Sequence, residues 1–311
     1  MRLDNFIKKV NKLSSAGIPF LFLIDFEMEK PKIFTFEEAE KNKVFYNIKG
    51  FTNFTKNTGK PNISKLDITP VSRKRYKKAI DLVKENINFG NSYLLNLTFP
   101  TKIYTNNSLE DIFAVAKAPY KLLFKDQFTV FSPECFIRIK DNFIYSYPMK
   151  GTIDALIPNA ERIILDDEKE LREHYTIVDL IRNDLSIISK NVTVTKFRYI
   201  EKIKTNNKEL LQVSSEIRGK LAENWKDNLG ELLIKLLPAG SVSGAPKKKT
   251  VEIIREAEKQ KRGYYTGLFG IFDGKNLDSA VNIRFIENKR SGLRYRSGGG
   301  ITSMSDLDSE Y

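Results

Sequence analysis

The order of apolar patterns predicts an α+β fold with mostly antiparallel sheets. Strand-like and helix-like segments come in groups, without the regular alternation that a parallel sheet requires. Residues 137–147 carry a hairpin signature, and segments starting near Arg73, Asp167 and Pro246 place apolar residues at helical spacing. With 311 residues, 41% of them hydrophobic, the chain can bury a large core and is too apolar to be disordered.

Taken in order, residues 18–24 and 43–48 read as short strands joined by the charged segment Phe36-Glu-Glu-Ala-Glu-Lys41, and the polar run Asn53 to Lys65 reads as a loop. After Thr69-Pro70, the residues Tyr76, Ile80, Val83 and Ile87 mark one face of a helix that Gly90 closes. Ile137 and Ile139 alternate with Arg138 and Lys140; Asp141-Asn142 forms a two-residue turn, and Phe143, Tyr145 and Tyr147 line a return strand. Leu171, Tyr175 and Val178 define a helix from Asp167 to Asn183, followed by strands at 192–200 and 211–217. Helices are expected at about 226–237 and 246–260, the second with Pro246 in its first turn, where a missing amide hydrogen costs nothing. Leu268 to Phe272, Ala280 to Ile286 and Leu293 to Arg296 complete the strands.

Composition excludes several classes of function. One cysteine, Cys135, forbids an internal disulfide framework, and one histidine, His174, forbids a multi-His metal centre. The longest apolar stretch, Ile18 to Ile24, contains Pro19 and is far too short to span a bilayer. Asp4 interrupts the position where a signal peptide turns apolar, so a cytoplasmic protein with no membrane partner is expected. The net charge of +13 includes clusters at Arg73 to Lys78, Lys247 to Lys249 and Lys259 to Arg262. These lie in or beside amphipathic helices, and no zinc finger or RNP-type motif accompanies them. No nucleic-acid partner is therefore expected, and the charge suits steering of an anionic substrate.

Four constellations carry candidate chemistry. Lys150, in Pro148-Met-Lys-Gly-Thr152 after a strand, is placed to act as an amine nucleophile in a cleft, or is an ordinary surface lysine. Glu170 and Glu173 share a helix face and suit a hard cation such as Mg²⁺, with Glu310 as a distant third carboxylate; a solvated helix start is the plainer alternative. The small-residue run Leu237 to Lys247, which lacks the ending of a Walker loop, and Ser297-Gly-Gly-Gly-Ile301 can each present amides to an anion or simply turn the chain. Tyr265 and Arg284 are further groups able to hold a carboxylate.

Together, eight ordered motifs resemble the chorismate-binding enzymes: Ile87 to Thr98, Ser132 to Phe136, Pro148 to Thr152, Ile177 to Leu185, Pro238 to Lys247, Arg262 to Gly267, Val281 to Arg284 and Gly298 to Ile301. The resemblance covers residues 70–311 and is nearest to the aminodeoxychorismate synthase branch (component I). It implies a layered sandwich with two mostly antiparallel sheets flanked by helices. Residues 1–69 would be a short strand-containing part of the same fold, and 70–311 the catalytic region, expected to be truncated at its C-terminal end. The implied reaction joins chorismate and ammonia into 4-amino-4-deoxychorismate for p-aminobenzoate and folate synthesis. Lys150 would attack C2 as the C4 hydroxyl leaves, Glu134 would protonate that hydroxyl, and ammonia would then add at C4 and expel the lysine. Glu170 and Glu173 match metal-side carboxylates, with Glu310 as the proposed distant third ligand and Mg²⁺ as cofactor. Ser241, Tyr265, Arg284, Gly298, Gly299 and Gly300 match substrate-binding positions, and Lys247 lies in the loop of Ser241.

Three departures stand out. Gln212 replaces a histidine, Met304 stands where Asp is common, and the family continues past Tyr311 into a helix with a further glutamate. The motif of a tryptophan-binding regulatory pocket is not found, so feedback by tryptophan is not expected. Nothing resembles a glutaminase, so ammonia would come from a separate glutaminase subunit or from solution. The alternatives are anthranilate synthase component I and an isochorismate or salicylate synthase, against which Lys150 argues, and a non-catalytic basic binding protein.

Overall fold

A computed structural model describes residues 1–55, 66–204 and 208–311 of the chain. Most of the loop expected at 53–65 lies outside these residues. Among the described residues two nine-stranded sheets form the body, and neighbouring strands pair antiparallel. The first sheet runs Met149–Asp154, Glu209–Lys220, Phe143–Ser146, Cys135–Lys140, Leu277–Val281, Leu268–Phe272, Phe20–Ile24 and Lys32–Phe34, with Lys190–Lys204 also paired to Glu209–Lys220. The second runs Gly244–Ala245, Leu94–Tyr104, Gly292–Ile301, Phe285–Lys289, Phe128–Ser132, Tyr120–Phe124, Val44–Ile48 and Phe51–Thr52, with Asp67–Thr69 added beside Leu94–Tyr104. The fold is α+β, as the apolar patterns predict.

The layering follows from which faces are apolar. All five residues of Phe20–Ile24 are buried. Leu21 and Leu23 pack between the sheets with Phe269, Tyr46 and Leu122, while Phe20, Phe22 and Ile24 face the opposite way, toward helices Leu3–Ser15 and Glu168–Ser186. Continuous hydrophobicity in that strand reflects burial on both faces. The outer face of the second sheet is covered by Arg73–Asn88 and Lys247–Glu258, whose Tyr76, Ile80, Val83, Ile253 and Ile254 meet Leu95, Leu97 and Phe99. Each such buried Leu, Ile or Phe contributes about 1.5–3 kcal/mol relative to exposure. Among the described residues no helix is long and apolar enough to cross a membrane.

The hairpin at 135–146 forms as expected, with Asp141 and Asn142 both left-handed at φ 51° and 62°, the turn that matches strand twist. Helix Arg73–Asn88 is capped by the Ser72 hydroxyl and followed by Gly90 at φ 85°. Other expectations need correction. The charged segment after Phe36 is a short helix, Phe36–Lys41, closed by a Thr35/Glu38 capping box. Pro246 is the residue before helix Lys247–Glu258, with extended backbone, and lies outside its first turn. The span 226–237 divides into a 3₁₀ turn, Trp225–Asn228, and an α-helix, Leu229–Lys235. The strand expected over 280–286 breaks at Arg284, whose φ of 55° redirects the chain between the first sheet and the second. Ser297 to Ile301 is the end of a ten-residue strand, Gly292–Ile301, and Gly298 to Gly300 pair with Thr98 to Asn96.

Candidate active site

The site lies where the chain passes between the sheets. Glu134 sits in the two-residue link between Phe128–Ser132 of the second sheet and Cys135–Lys140 of the first. Its amide donates to Ser132 Oγ at 3.1 Å, and its carbonyl accepts from the Val281 amide at 3.3 Å. Ser241, in the short turn Gly240–Ser243, donates its hydroxyl to Glu134 Oε1 at 2.5 Å. The carboxyl opens onto a cavity of about 340 Å³ that is walled by Tyr93, Asn96, Tyr147, Lys150, Glu173 and Gly300, among others. Surrounding protein penalises its charged form, and burial raises its pKa above the ordinary carboxylate range, against the opposing pull of the Ser241 hydrogen bond.

Lys150 belongs to the edge strand Met149–Asp154, a refinement of its expected place just beyond a strand. Its Nζ lies 2.7 Å from Glu173 Oε2, with the side chains 41% and 29% exposed, so an amine and a carboxylate pair at the cavity wall. Next to it, Gly151 adopts φ 84°, and a side chain there would meet Glu170 Oε2 at 3.1 Å. Glycine is required by both the left-handed backbone and the close approach of helix Glu168–Ser186. Buried in that helix, His174 brings Nε2 to 2.7 Å from Ser215 Oγ. Burial, aided by the Arg198 charge, pushes the imidazole down to about 4, which leaves it neutral near pH 7.

The fit to a divalent ion rests on Glu170, whose Oε2 is buried without a hydrogen-bond partner. Glu173 follows one turn later on the same helix face. Among the described residues no three His, Cys, Asp or Glu side chains converge on one point, so an ion here would take two carboxylates and complete its shell with water and substrate oxygens. Glu310 stands apart from this pair. Its Oε1 accepts from Ser305 Oγ at 2.9 Å, and its Oε2 approaches Gly299.

The remaining expected residues divide. Gly300 lines the cavity directly, whereas Gly298 and Gly299 precede it in the strand without reaching the wall. Tyr265 is 2% exposed and packs between the sheets, its ring 6.0 Å from that of Phe285. Arg284 is exposed and outside the cavity wall. Lys247 is not itself among the lining residues; it donates to the Leu236 carbonyl and pairs with Asp184 Oδ1, both at 2.8 Å, and these two partners line the cavity. Gln212 lies opposite Thr152 with Oε1 buried and unpartnered, and it carries no titratable proton. Residue-by-residue reading had given no role to Tyr93, Asn96, Tyr147 or Asp184, all of which line the cavity. The buried, unpartnered Asn96 Oδ1 is the signal that only three dimensions supply.

Comparison with known proteins places this geometry. Residues 22–311 match the family described as chorismate binding enzyme. An uncharacterised PabA-like protein of Pasteurella multocida is 53% identical over 100% of this chain and 96% of its own length, and a PabA-like protein of Haemophilus influenzae is 53% identical over 99% and 94%. Anthranilate synthase component 1 1 of Haloarcula marismortui is 31% identical over 77% of this chain, which spans 51% of that relative. The solved anthranilate synthase component I of Streptococcus pneumoniae superposes with a TM-score of 0.68 at 27% identity, covering 80% of this chain and 57% of that one. The menaquinone-specific isochorismate synthase of Escherichia coli shares the fold, with a TM-score of 0.73 at 15% identity over 99% of this chain and 78% of its own. With an ordered match from residue 22 to residue 311, the chain belongs to the chorismate binding enzyme family.

Proposed function

We propose that this chain aminates chorismate at C4 with ammonia, giving 4-amino-4-deoxychorismate through an intermediate linked to Lys150. The observation that carries this reading is the placement of Lys150 and Glu134 around one cavity, an amine paired with a carboxylate and a carboxyl whose pKa burial raises. Lys150, in its unprotonated form, attacks C2 with its free electron pair. Both ring double bonds shift, C1=C2 to C1=C6 and C5=C6 to C4=C5, and the C4 hydroxyl leaves as water with the proton of Glu134. Ammonia then attacks C4, both double bonds return to their first positions, and the C2–N bond breaks with its electron pair going to the Lys150 nitrogen. The chain's net charge of +13 favours encounter with a dianionic substrate.

A divalent ion held by Glu170 and Glu173 would neutralise a substrate carboxylate. Glu170→Gln is expected to weaken Mg²⁺ binding by about tenfold or more, on the scale of losing a coordinating or supporting group. Isothermal titration in the presence of chorismate measures it, and full activity in excess chelator would contradict the metal assignment.

Ammonia comes from outside this site. Cys135, the single cysteine, is buried and its thiol is pushed up to about 12 by burial, so it is no thiolate nucleophile for glutamine. Glutamine alone should give no amination, ammonium salts should support it, and a separate glutaminase subunit should restore glutamine use at neutral pH. A second reading, formation of anthranilate, is favoured by the names of the relatives that match about three quarters of this chain. Incubation with chorismate, Mg²⁺ and ammonium separates the two by product mass. We expect 4-amino-4-deoxychorismate; anthranilate with pyruvate, or isochorismate, would overturn the proposal.

A further inference from the structure

Arg262 opens the Arg-Gly-Tyr-Tyr-Thr-Gly motif, is 1% exposed and is among the largest fully buried side chains. Its guanidinium directs every N–H to an acceptor. Nε donates to Glu258 Oε2 at 3.1 Å. Nη1 donates to the Val242 carbonyl at 2.9 Å and Thr266 Oγ1 at 3.3 Å, and Nη2 to the Asn96 carbonyl at 2.6 Å and Glu258 Oε1 at 2.5 Å. The Phe26 ring centroid lies 4.7 Å from the guanidinium. Glu258 is wholly buried and also accepts the Thr98 amide at 3.1 Å. A buried ion pair gives little net stability once desolvation is counted, but a planar fork with fixed acceptors defines geometry well.

Two of these acceptors belong to or adjoin the cavity wall, and Glu258 holds a strand that reaches it. Asn96 lines the cavity. Val242 follows Ser241, whose hydroxyl holds Glu134. Thr98 bonds through its hydroxyl to the Ser297 carbonyl, on the strand that delivers Gly300 to the wall. We infer that the Arg262–Glu258 pair is a positioning device for the active site, fixing the Ser241 turn against the Asn96 strand and, through Ser241, setting the orientation of the Glu134 carboxyl. The inference rests on the cavity being where chorismate reacts, and is independent of which product leaves it.

Arg262→Lys keeps a positive charge beside Glu258 but lacks the fork that reaches both the Val242 and Asn96 carbonyls. Chorismate consumption is measured per folded molecule, with folding followed by circular dichroism. The expected result is a fall in kcat of about 100-fold, the scale of a small misplacement at a reacting centre, with a much smaller change in chorismate KM. Ser241→Ala should lower kcat in the wild-type background, yet add less than about twofold in the Arg262→Lys background, because the two residues act through one path. If Arg262→Lys does not fold, the paired variant Arg262→Met with Glu258→Met removes both buried charges and is read in the same way. Wild-type kcat per folded molecule, or full multiplication of the two effects, would overturn the inference. A product other than 4-amino-4-deoxychorismate would defeat the amination reading and leave this comparison intact.

Discussion

If Lys150 is the nucleophile of the proposed amination, Lys150→Ala is expected to reduce that activity by at least about 10³-fold, more than loss of a binding contact would. Folding should change little. The Lys150–Glu173 pair is 41% and 29% exposed, and a pair so open to solvent is worth about 1 kcal/mol or less. Lys150→Arg is the sharper variant. Arginine can keep the ion pair with Glu173, yet its guanidinium stays protonated and offers no free electron pair. Loss of activity with retained melting temperature in both variants supports a chemical role. Activity in Lys150→Arg near that of the wild type would reduce Lys150 to an electrostatic partner.

Glu134→Gln should lower kcat by about 10²–10⁴-fold, the usual contribution of a placed general acid, while the amide keeps the volume and can still accept from Ser241. The pH dependence has a definite sign. Burial raises the Glu134 pKa, so the protonated acid persists above the ordinary carboxyl range and activity falls as pH rises through the raised value. Ser241 donates to this carboxyl and favours its charged form. Ser241→Ala should therefore move the alkaline limb of kcat to higher pH while lowering kcat itself. Stopped-rate assays across a pH series with chorismate in excess measure both effects. A limb that moves downward, or disappears with Glu134→Gln while kcat is unchanged, would remove Glu134 from the acid role.

How much of this was readable in the sequence depends on whether the signal was local. The hairpin around Asp141-Asn142 and the helix capped by Ser72 depend on neighbouring residues, and both were legible. Helix Leu3–Ser15 offered the same kind of signal in Phe6, Val10 and Leu13 and went unread beside the charged residues between them. Strand Leu94–Tyr104 carries Pro100, which discourages a strand reading, but Pro100 is accommodated opposite Arg296 by partners almost two hundred residues away. The glycines at 298–300 have no side-chain alternation to betray a strand, so their pairing with Asn96 to Thr98 was visible only in the fold.

The site shows the same division. Lys150, Glu134, Glu173 and Ser241 come from separate segments, and the motif order led to each, while their meeting at one cavity depends on the packing of two sheets. Tyr265 and Arg284 followed from the same motifs, yet one ring fills the space between the sheets and the other side chain emerges where the backbone changes sheets. Asp184 and Arg262 gave no signal as single residues. A buried charge takes its meaning from its partners, here Lys247 for one and Glu258 for the other, and these lie on different helices or turns.

The central claim is a covalent bond between chorismate and Lys150. Its direct measurement is the intact mass of the protein after brief incubation with chorismate and Mg²⁺ in the absence of ammonia, followed by peptide mapping. The account predicts an added mass equal to chorismate less one water, located on the peptide containing Lys150, and discharged as 4-amino-4-deoxychorismate when ammonium is supplied. An unmodified protein that nevertheless aminates chorismate at the same rate, or an adduct on any other residue, would contradict it.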